Sequence, residues 1–264
     1  MSAATGLDEA DLERRFGGLR RLYGDAAYAR IRAARVAVVG VGGVGSWAAE
    51  VLARSGVAEL TLVDLDHVAE SNINRQVQAL GATVGMAKVQ ALAARFADIH
   101  PGCLVHAVEA FAEPDNWPAV LPQPADVVID ACDQLRAKLA MAAWSIETGA
   151  NLVVVGAAGG KRRPQAVEVD DLAAVTHDPL LASLRQRLRQ RHGAARKGAM
   201  GVRCVFSREP VLVPPGEACD LESNLNCHGY GSTVSVTATF GLVAAQIALE
   251  CAAVEKTSQR NAPL

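Results

Sequence analysis

The chain of 264 residues lacks most of what small extracellular or metal-stapled proteins rely on. Its six cysteines, Cys103, Cys132, Cys204, Cys219, Cys227 and Cys251, include no C-x-x-C pair. Neither a disulfide framework nor a thiolate cage for structural zinc is expected from that spacing. Aromatic residues make up only 4% while half of the chain is hydrophobic, which suits a core built from Ala and Val rather than from large rings. An excess of one charge is also missing, since 26 Lys and Arg stand against 28 Asp and Glu. A protein near neutrality has no global field for polyanions, so any nucleic-acid contact must come from a local patch. The N-terminal MSAATGLDEADLERR has no apolar signal segment, and the expectation is a reduced, cytoplasmic protein. No internal repeat or low-complexity segment is found.

One run, Gly229 to Leu249, carries no charged residue, and about twenty apolar residues are enough to span a bilayer. It also contains Ser232, Thr233, Ser235, Thr237, Thr239 and Gln246, which make it too polar for insertion. A helix buried in a soluble core is expected instead, with no membrane association.

Apolar runs near 36–39, 59–63, 104–108, 126–130 and 152–155 alternate with helical stretches near 45–54, 86–98 and 134–148. That alternation predicts an α/β fold: a Rossmann-like, mostly parallel, doubly wound sheet. After Gly160 come a strand from Ala166 to Val169, a helix from Leu180 to Arg191 and a strand from Val202 to Phe206, with a loop over 208–231 rich in Pro, Gly, Cys and Asn. The expected organisation is one unit over 1–264, with a nucleotide-binding half (1–160) and a substrate-side and dimer half (161–264) forming a lobe on the same sheet.

Gly40-Val41-Gly42-Gly43-Val44-Gly45 follows the first strand and precedes the first of these helices. Gly40, Gly42, Gly43 and Gly45 let a nucleotide approach the backbone and let helix pack on strand, and the helix N-terminus receives phosphate. Asp64, nineteen residues beyond the last glycine, is placed for a ribose hydroxyl. Up to this point a nicotinamide enzyme is equally well described. A polar set follows directly, Asp66, Asn72, Arg75 and Gln76, with Lys88 downstream; two fixed cations beside such a turn suit a triphosphate.

The run GVGGVG, DLD, N-x-NRQ, the Lys88 of VGMAK and Asp130-Ala131-Cys132-Asp133 resemble the ubiquitin-activating-enzyme-like (ThiF/MoeB/HesA) adenylyltransferase superfamily. Arg15-Phe16-Gly17-Gly18, GGVGSWAAE, VGAAGG (Val155 to Gly160), DPL (Asp178 to Leu180), CVFS (Cys204 to Ser207) and TVSVTATFG (Thr233 to Gly241) are similar in more detail to the tRNA threonylcarbamoyladenosine dehydratases. The resemblance implies a homodimer that uses ATP and Mg²⁺ to activate the carboxylate of threonylcarbamoyladenosine in tRNA. The adjacent carbamoyl group then displaces AMP and closes a ring. An adenylyltransferase acting on the C-terminus of a ubiquitin-like sulfur carrier is the alternative, and a nicotinamide oxidoreductase a more distant one.

On this reading Arg75 and Lys88 stabilise phosphate charge, Asp133 holds Mg²⁺, Asn72 bonds ribose or phosphate, and Asp66 supports the metal or orients Arg75. Each alone reads as well as a surface lysine or a helix cap. Simpler superfamily members carry R-Y-x-R at the N-terminus, where the second arginine reaches the partner's ATP; Gly18 stands there in this chain, leaving Arg20 or Arg21 for that task, and the segment reads equally well as an amphipathic N-terminal helix with ordinary surface arginines. Many relatives bind zinc through paired C-x-x-C motifs, which this chain lacks. Cys227, before His228-Gly229-Tyr230-Gly231, matches a cysteine of the dehydratase pattern and reads either as a nucleophile or sulfur-relay acceptor, or as a loop residue without a catalytic role. A monovalent cation in the loop after Cys219, and a sulfur-relay partner protein, stay open.

The local basic patch is the stretch from Arg185 to Arg203, with Arg185, Arg187, Arg189, Arg191, Arg196, Lys197 and Arg203 and no acidic residue. Charge of one sign is unusual for a merely solvated face. Arg189, Arg191, Arg196 and Lys197 are therefore expected to bind tRNA, as a helix end that breaks at Gly193 and a mobile basic loop after it, with Lys161-Arg162-Arg163 extending the patch.

Overall fold

Short runs of Val, Ile and Leu, apolar on both faces, form the strands at the centre of the protein, as strands covered on two sides require. The computed structural model describes residues 9–212 and 230–255. Strands β1 (Arg35–Val39), β2 (Glu59–Val63), β3 (Leu104–Val108), β4 (Val127–Asp130), β5 (Asn151–Val155), β6 (Val167–Asp171) and β7 (Arg203–Ser207) make one sheet in the order β3-β2-β1-β4-β5-β7-β6. All pairs are parallel except β6 with β7. The sheet continues past residue 160 without interruption.

The helices are α1 (Glu9–Tyr23), α2 (Asp25–Ala33), α3 (Gly45–Arg54), α4 (Lys88–Ile99), α5 (Leu135–Thr148), α6 (Pro179–Arg191) and α7 (Val234–Ala253). Alternate residues of each strand enter opposite layers. Val36 and Val38 join Leu52, Leu62, Phe96 and Phe240 under α3, α4 and α7, whereas Ala37 and Val39 join Met141, Leu184 and Phe206 under α5 and α6. From β1 the chain winds outward through β2 and β3, and from β4 it winds the other way, so the winding reverses between β1 and β4. A cleft at the carboxyl ends of those strands is where such sheets take ligands.

Helix α7 answers the question posed by the uncharged run. By length and composition it could cross a membrane, yet Val236, Phe240, Ala244 and Ala248 are fully buried at i,i+4 spacing. Gly241 packs against the start of α3 so closely that a Cβ there would meet Val44 O and Ala48 N. The run is a core helix, beginning five residues later than the uncharged stretch.

Two local differences from the sequence reading have simple causes. The strand expected from Ala166 begins at Val167 because Pro164 starts a short 3-10 turn over Pro164–Ala166, and proline supplies no ladder donor. The N-terminal helical segment is divided at Gly24, φ 78°, into α1 and α2, a break the amphipathic pattern did not reveal. Phe16 of α1 is buried between the Arg32 guanidinium, 4.6 Å from its ring centre, and the His100 ring at 4.7 Å.

Candidate active site

Gly40 leaves β1 with φ 82° and donates its amide to Val63 O at 2.8 Å. A side chain there would strain the backbone and collide with Ala131 and Cys132. Gly45 lies against the Gly40 carbonyl, which a Cβ would overlap; it sets the approach of helix to strand, while Gly40, Gly42 and Gly43 line the cavity itself. The first turn of α3 has neither a capping side chain nor an acid. Ser46 N is taken by Gly42 O at 3.1 Å, and the helix dipole favours an anion at the rest of this end.

Asp64 closes β2 with both carboxylate oxygens engaged: Oδ2 accepts from Val41 N at 2.8 Å and Oδ1 from Asp66 N at 2.9 Å. Burial raises its pKa, and Lys88 and these amides pull it back. The carboxylate is thus built into the turn beside it. Lys88, at the start of α4, is tied to Asp66 twice, by Lys88 N to Asp66 O at 3.0 Å and by Nζ to Oδ2 at 2.7 Å. The ammonium is only 7% exposed, its partner carboxylate 55%.

That pairing corrects the expectation that Asp66 orients Arg75. The Arg75 guanidinium donates Nη1 to Ser71 O at 2.7 Å and to Asn74 Oδ1 at 2.9 Å, and its stem lies over Gly43. Trp47 Nε1, from α3, donates to Arg75 O at 3.0 Å, which links the arginine to the glycine turn. Asn72 Oδ1 is used locally, accepting from Ala69 N at 3.1 Å, so only its amide NH₂ is left for a ligand. Gln78 Nε2 donates to Val41 O and Gln76 Oε1, and Gln76 borders Gly42.

The ends of β4 and β5 form the other wall. Asp130, fully buried, pairs with the equally buried Lys138 of α5 at 3.0 Å, and Lys138 Nζ also donates to Asp130 O and Val155 O. Burial pushes the Asp130 carboxyl up, while the carboxylate keeps the proton on Lys138. Asp130 is therefore structural. Cys132 Sγ donates to Asp130 Oδ1 at 2.9 Å, and burial holds the thiol far above its ordinary range. Asp133 is exposed on the cavity wall and makes no hydrogen bond or ion pair among the described residues.

The cavity enclosed by these segments measures about 410 Å³ and is lined by Gly40, Gly42, Gly43, Asp64, Asp66, Asn72, Arg75, Lys88 and Asp133 together with Phe111, Gly156 to Gly159 and Leu180. Sequence reasoning did not assign the last group. Asp178, of the DPL run, caps α6 through Leu181 N at 2.9 Å and accepts from Ala157 N at 2.8 Å, so it fastens α6 to the cavity turn. An Asp before Pro at a helix start was the available signal.

Other expected residues lie apart from the cavity. Helix α6 starts at the cavity and ends at Arg191, followed by Gly193 with φ 63°. Arg191, Arg196 and Lys197 are exposed and Arg189 partly so, all on the opposite edge of the sheet, where β7 begins. Asp171 holds that loop: Oδ1 accepts from Ala173 N and Met200 N, and Oδ2 from Gly201 N and Val202 N. Arg189 Nε donates to Ala195 O at 3.1 Å. Arg185 is consumed by Leu172 O and Val175 O. Lys161 does not extend the patch either; it is buried, donates to Ser207 O and Glu209 O, and lies with Arg162 and Arg163 on the cavity edge. Helix α1 docks on the far edge, where Arg15 Nη1 donates to Asp98 O and Ile99 O. Arg20 is engaged by Glu13 and Asp25. Neither Arg20 nor Arg21 is on the side of its own cavity.

Cys219 and Cys227, and with them the cation, zinc and nucleophile questions, lie outside the described residues. The segments flanking that stretch meet at one point: Leu212 N donates to Gly160 O and Gly160 N to Gly231 O, both at 2.9 Å, beside the cavity-lining Gly159 and Ser232.

Comparison with known proteins agrees with this geometry. The ThiF family model matches residues 15–262. The tRNA threonylcarbamoyladenosine dehydratase of Escherichia coli is 43% identical over 247 residues, covering 89% of this chain and 92% of that protein. The one of Haemophilus influenzae is 39% identical, covering 88% and 90%. A crystal structure of the Escherichia coli enzyme in complex with ATP superposes with a TM-score of 0.83 at 42% identity, covering 92% of this chain and 95% of that one. With a glycine turn at an uncapped helix end, a buried carboxylate and two placed cations around one cleft, the chain belongs to the ThiF family, among the tRNA threonylcarbamoyladenosine dehydratases.

Proposed function

We propose that this protein is an ATP-dependent enzyme that dehydrates threonylcarbamoyladenosine in tRNA to its cyclic form. The observation that carries the reading is the convergence of Asp64, Arg75, Lys88 and Asp133 on one cavity at the reversal of the sheet, in a chain 43% identical to a dehydratase of that name. The carboxylate oxygen attacks the α-phosphorus of ATP, pyrophosphate leaves, and the carbamoyl group attacks the acyl carbon and expels AMP, so the elements of water end in AMP and pyrophosphate.

The protein's part is placement and charge. Asp64 orients the ribose, and the α3 amides with Arg75 and Lys88 offset negative charge gathering on the phosphates. Lys88 starts from an ion pair with Asp66, and one of its bonds can pass to phosphate. Because the nucleophile belongs to the substrate, fixing the reacting groups together supplies a large effective concentration without an enzyme thiol. We infer accordingly that Cys227 is dispensable for ring closure.

Mg²⁺ fits this donor set in a limited way. No cluster of metal-ligating side chains exists among the described residues, but Asp133 is an unengaged carboxylate, and Mg²⁺ is commonly held by one or two carboxylates plus substrate phosphates and water. Asp133 would hold the ion, which when bound screens phosphate charge. The same reading takes the chain as one cytoplasmic adenylation unit, residues 1–160 handling nucleotide and 161–264 handling substrate and dimer contacts. In a homodimer, α1 would be free to approach a second copy's cavity rather than its own, and Arg189, Arg191, Arg196 and Lys197 would bear on the tRNA.

The test is mass spectrometry of nucleosides from modified tRNA incubated with the protein, ATP and Mg²⁺. Loss of water from threonylcarbamoyladenosine is the expected result. Pyrophosphate release that depends on a carrier protein's C-terminus, with tRNA unchanged, would instead support activation of a ubiquitin-like sulfur carrier.

A further inference from the structure

The cavity has two sides that the sheet order assigns to different ligands. Asp64 at the end of β2 and the α3 N-terminus after β1 take ribose and phosphates, so the nucleotide occupies the part facing β3, β2 and β1. The remaining wall, Gly156 to Gly159 after β5 with Leu180 and Ser232, is left to the molecule that brings the carboxylate. If that molecule is an RNA nucleotide, the phosphodiesters on either side of it must pass over the lip of this wall.

That lip is cationic. Arg162 and Arg163 follow the cavity-lining Gly159, past Gly160 and Lys161, and are both exposed. Neither side chain makes a hydrogen bond or ion pair among the described residues. Glu209 spends its carboxylate on their backbone: Oε1 and Oε2 accept from Arg162 N at 3.0 Å and Oε2 from Arg163 N at 2.8 Å. Lys161 Nζ, donating to Glu209 O at 2.8 Å, anchors the same turn from beneath. The neighbouring Arg208 is occupied by Glu168 at 2.8 Å. A turn is thus fixed by a buried lysine and a carboxylate acting on main chain, and two guanidinium groups remain unspent, among the described residues, on the acceptor side.

We propose that Arg162 and Arg163 bind the phosphodiesters flanking the reactive nucleotide and so position the RNA strand at the cavity. This rests on the tRNA reading above and sharpens it, because the basic loop on the opposite edge cannot do this. Helix α6, which separates that loop from the cavity, has 13 residues and is about 20 Å long. The distant loop touches other parts of a large RNA; the lip touches the strand being modified. Guanidinium forks suit phosphate oxygens in two-point contacts, and such contacts position the nucleic acid without reading its sequence.

The experiment compares wild type with Arg162→Gln/Arg163→Gln in binding of modified tRNA across a salt series and in steady-state dehydration. Two lost phosphate contacts should flatten the dependence of log affinity on log salt by about 1.4 to 1.8. KM for tRNA should rise, while ATP binding and the rate at saturating tRNA stay as in wild type. An unchanged salt slope would overturn the proposal, as would a fall in saturated rate at unchanged slope, which would mark the pair as part of the catalytic turn. Failure of the wild-type protein itself to dehydrate modified tRNA would overturn the functional reading instead, so the two failures are told apart by the wild-type control.

Discussion

Lys138 and Asp130 form an ion pair at 3.0 Å with no exposure on either side chain, directly behind the turn that presents Asp133. Through Val155 O the same ammonium also reaches the end of β5, so one side chain holds together the two strands that make the acceptor wall. Removing one member leaves an uncompensated buried charge, which costs about 3 to 5 kcal/mol. Lys138→Met is expected to lose stability of that order in urea denaturation, and Lys138→Met/Asp130→Asn to recover most of it. Equal losses in both variants would show that packing rather than charge dominates.

The phosphate cations and the exposed carboxylate should be needed for rate and not for folding. Arg75→Ala and Asp133→Ala are each expected to lower dehydration by about two orders of magnitude or more, the usual effect of deleting one preorganised electrostatic group. Thermal unfolding should change little, since Asp133 has no partner to lose among the described residues and Arg75 is satisfied by a carbonyl and an amide oxygen on the surface. Wild-type rates in both variants would contradict the assignment.

Cys227→Ser should retain ring closure in the nucleoside assay. A thioester trapped at this residue, or an inactive variant that still binds ATP, would shift the reaction toward a carrier-protein mechanism.

Acid sensitivity should arise far from the chemistry. Burial, aided by Arg32, lowers the His100 pKa from 6.5 to about 4, and the neutral ring faces Arg32 Nη1 at 3.1 Å. The unfolded chain therefore takes up its proton first as pH falls. The stability this residue lends is full above pH 6.5 and drains away between 6.5 and about 4. By the linkage relation the loss reaches about 2 kcal/mol at pH ~5. Urea midpoints across this range should show it, and His100→Gln should flatten the curve.

The distant basic loop has its own signature. Replacing Arg189, Arg191, Arg196 and Lys197 by Gln should reduce the salt slope of tRNA binding by about three, at 0.7 to 0.9 per phosphate contact, without altering ATP binding. An unaltered slope would mark the run as a solubilising surface.

Much of this architecture was legible because it depends on periodicity and turn chemistry. The strand at 59–63 and the helix at 45–54 fall where the apolar runs and the glycine turn place them, and the residues chosen for nucleotide, Gly45 excepted, line a single cavity. What stayed hidden depends on contacts between distant segments. Lys138 reads as one more polar position on an amphipathic helix until β4 and β5 are seen to end beside it. Asp66 could not be assigned to Lys88 over Arg75, because both cations are within reach along the sequence and only the bridge between His67 and Ala87 folds one of them back. The grouping of Lys161 to Arg163 with the 189–197 run failed for a similar reason: charge clusters by composition, but the direction of a strand decides which edge a cluster occupies.

Asp171 has a consequence for the thermodynamics of association. Its carboxylate gathers the amides of Met200, Gly201 and Val202, and Arg189 holds Ala195 O, so the span bearing Arg196 and Lys197 is fixed at both ends before any polyanion arrives. Freezing a loose residue costs about 1 to 2 kcal/mol in backbone freedom. Here much of that ordering is completed during folding, so an RNA docking on this loop would meet charges already arrayed, with capture governed by diffusion and orientation rather than by the closing of a loop.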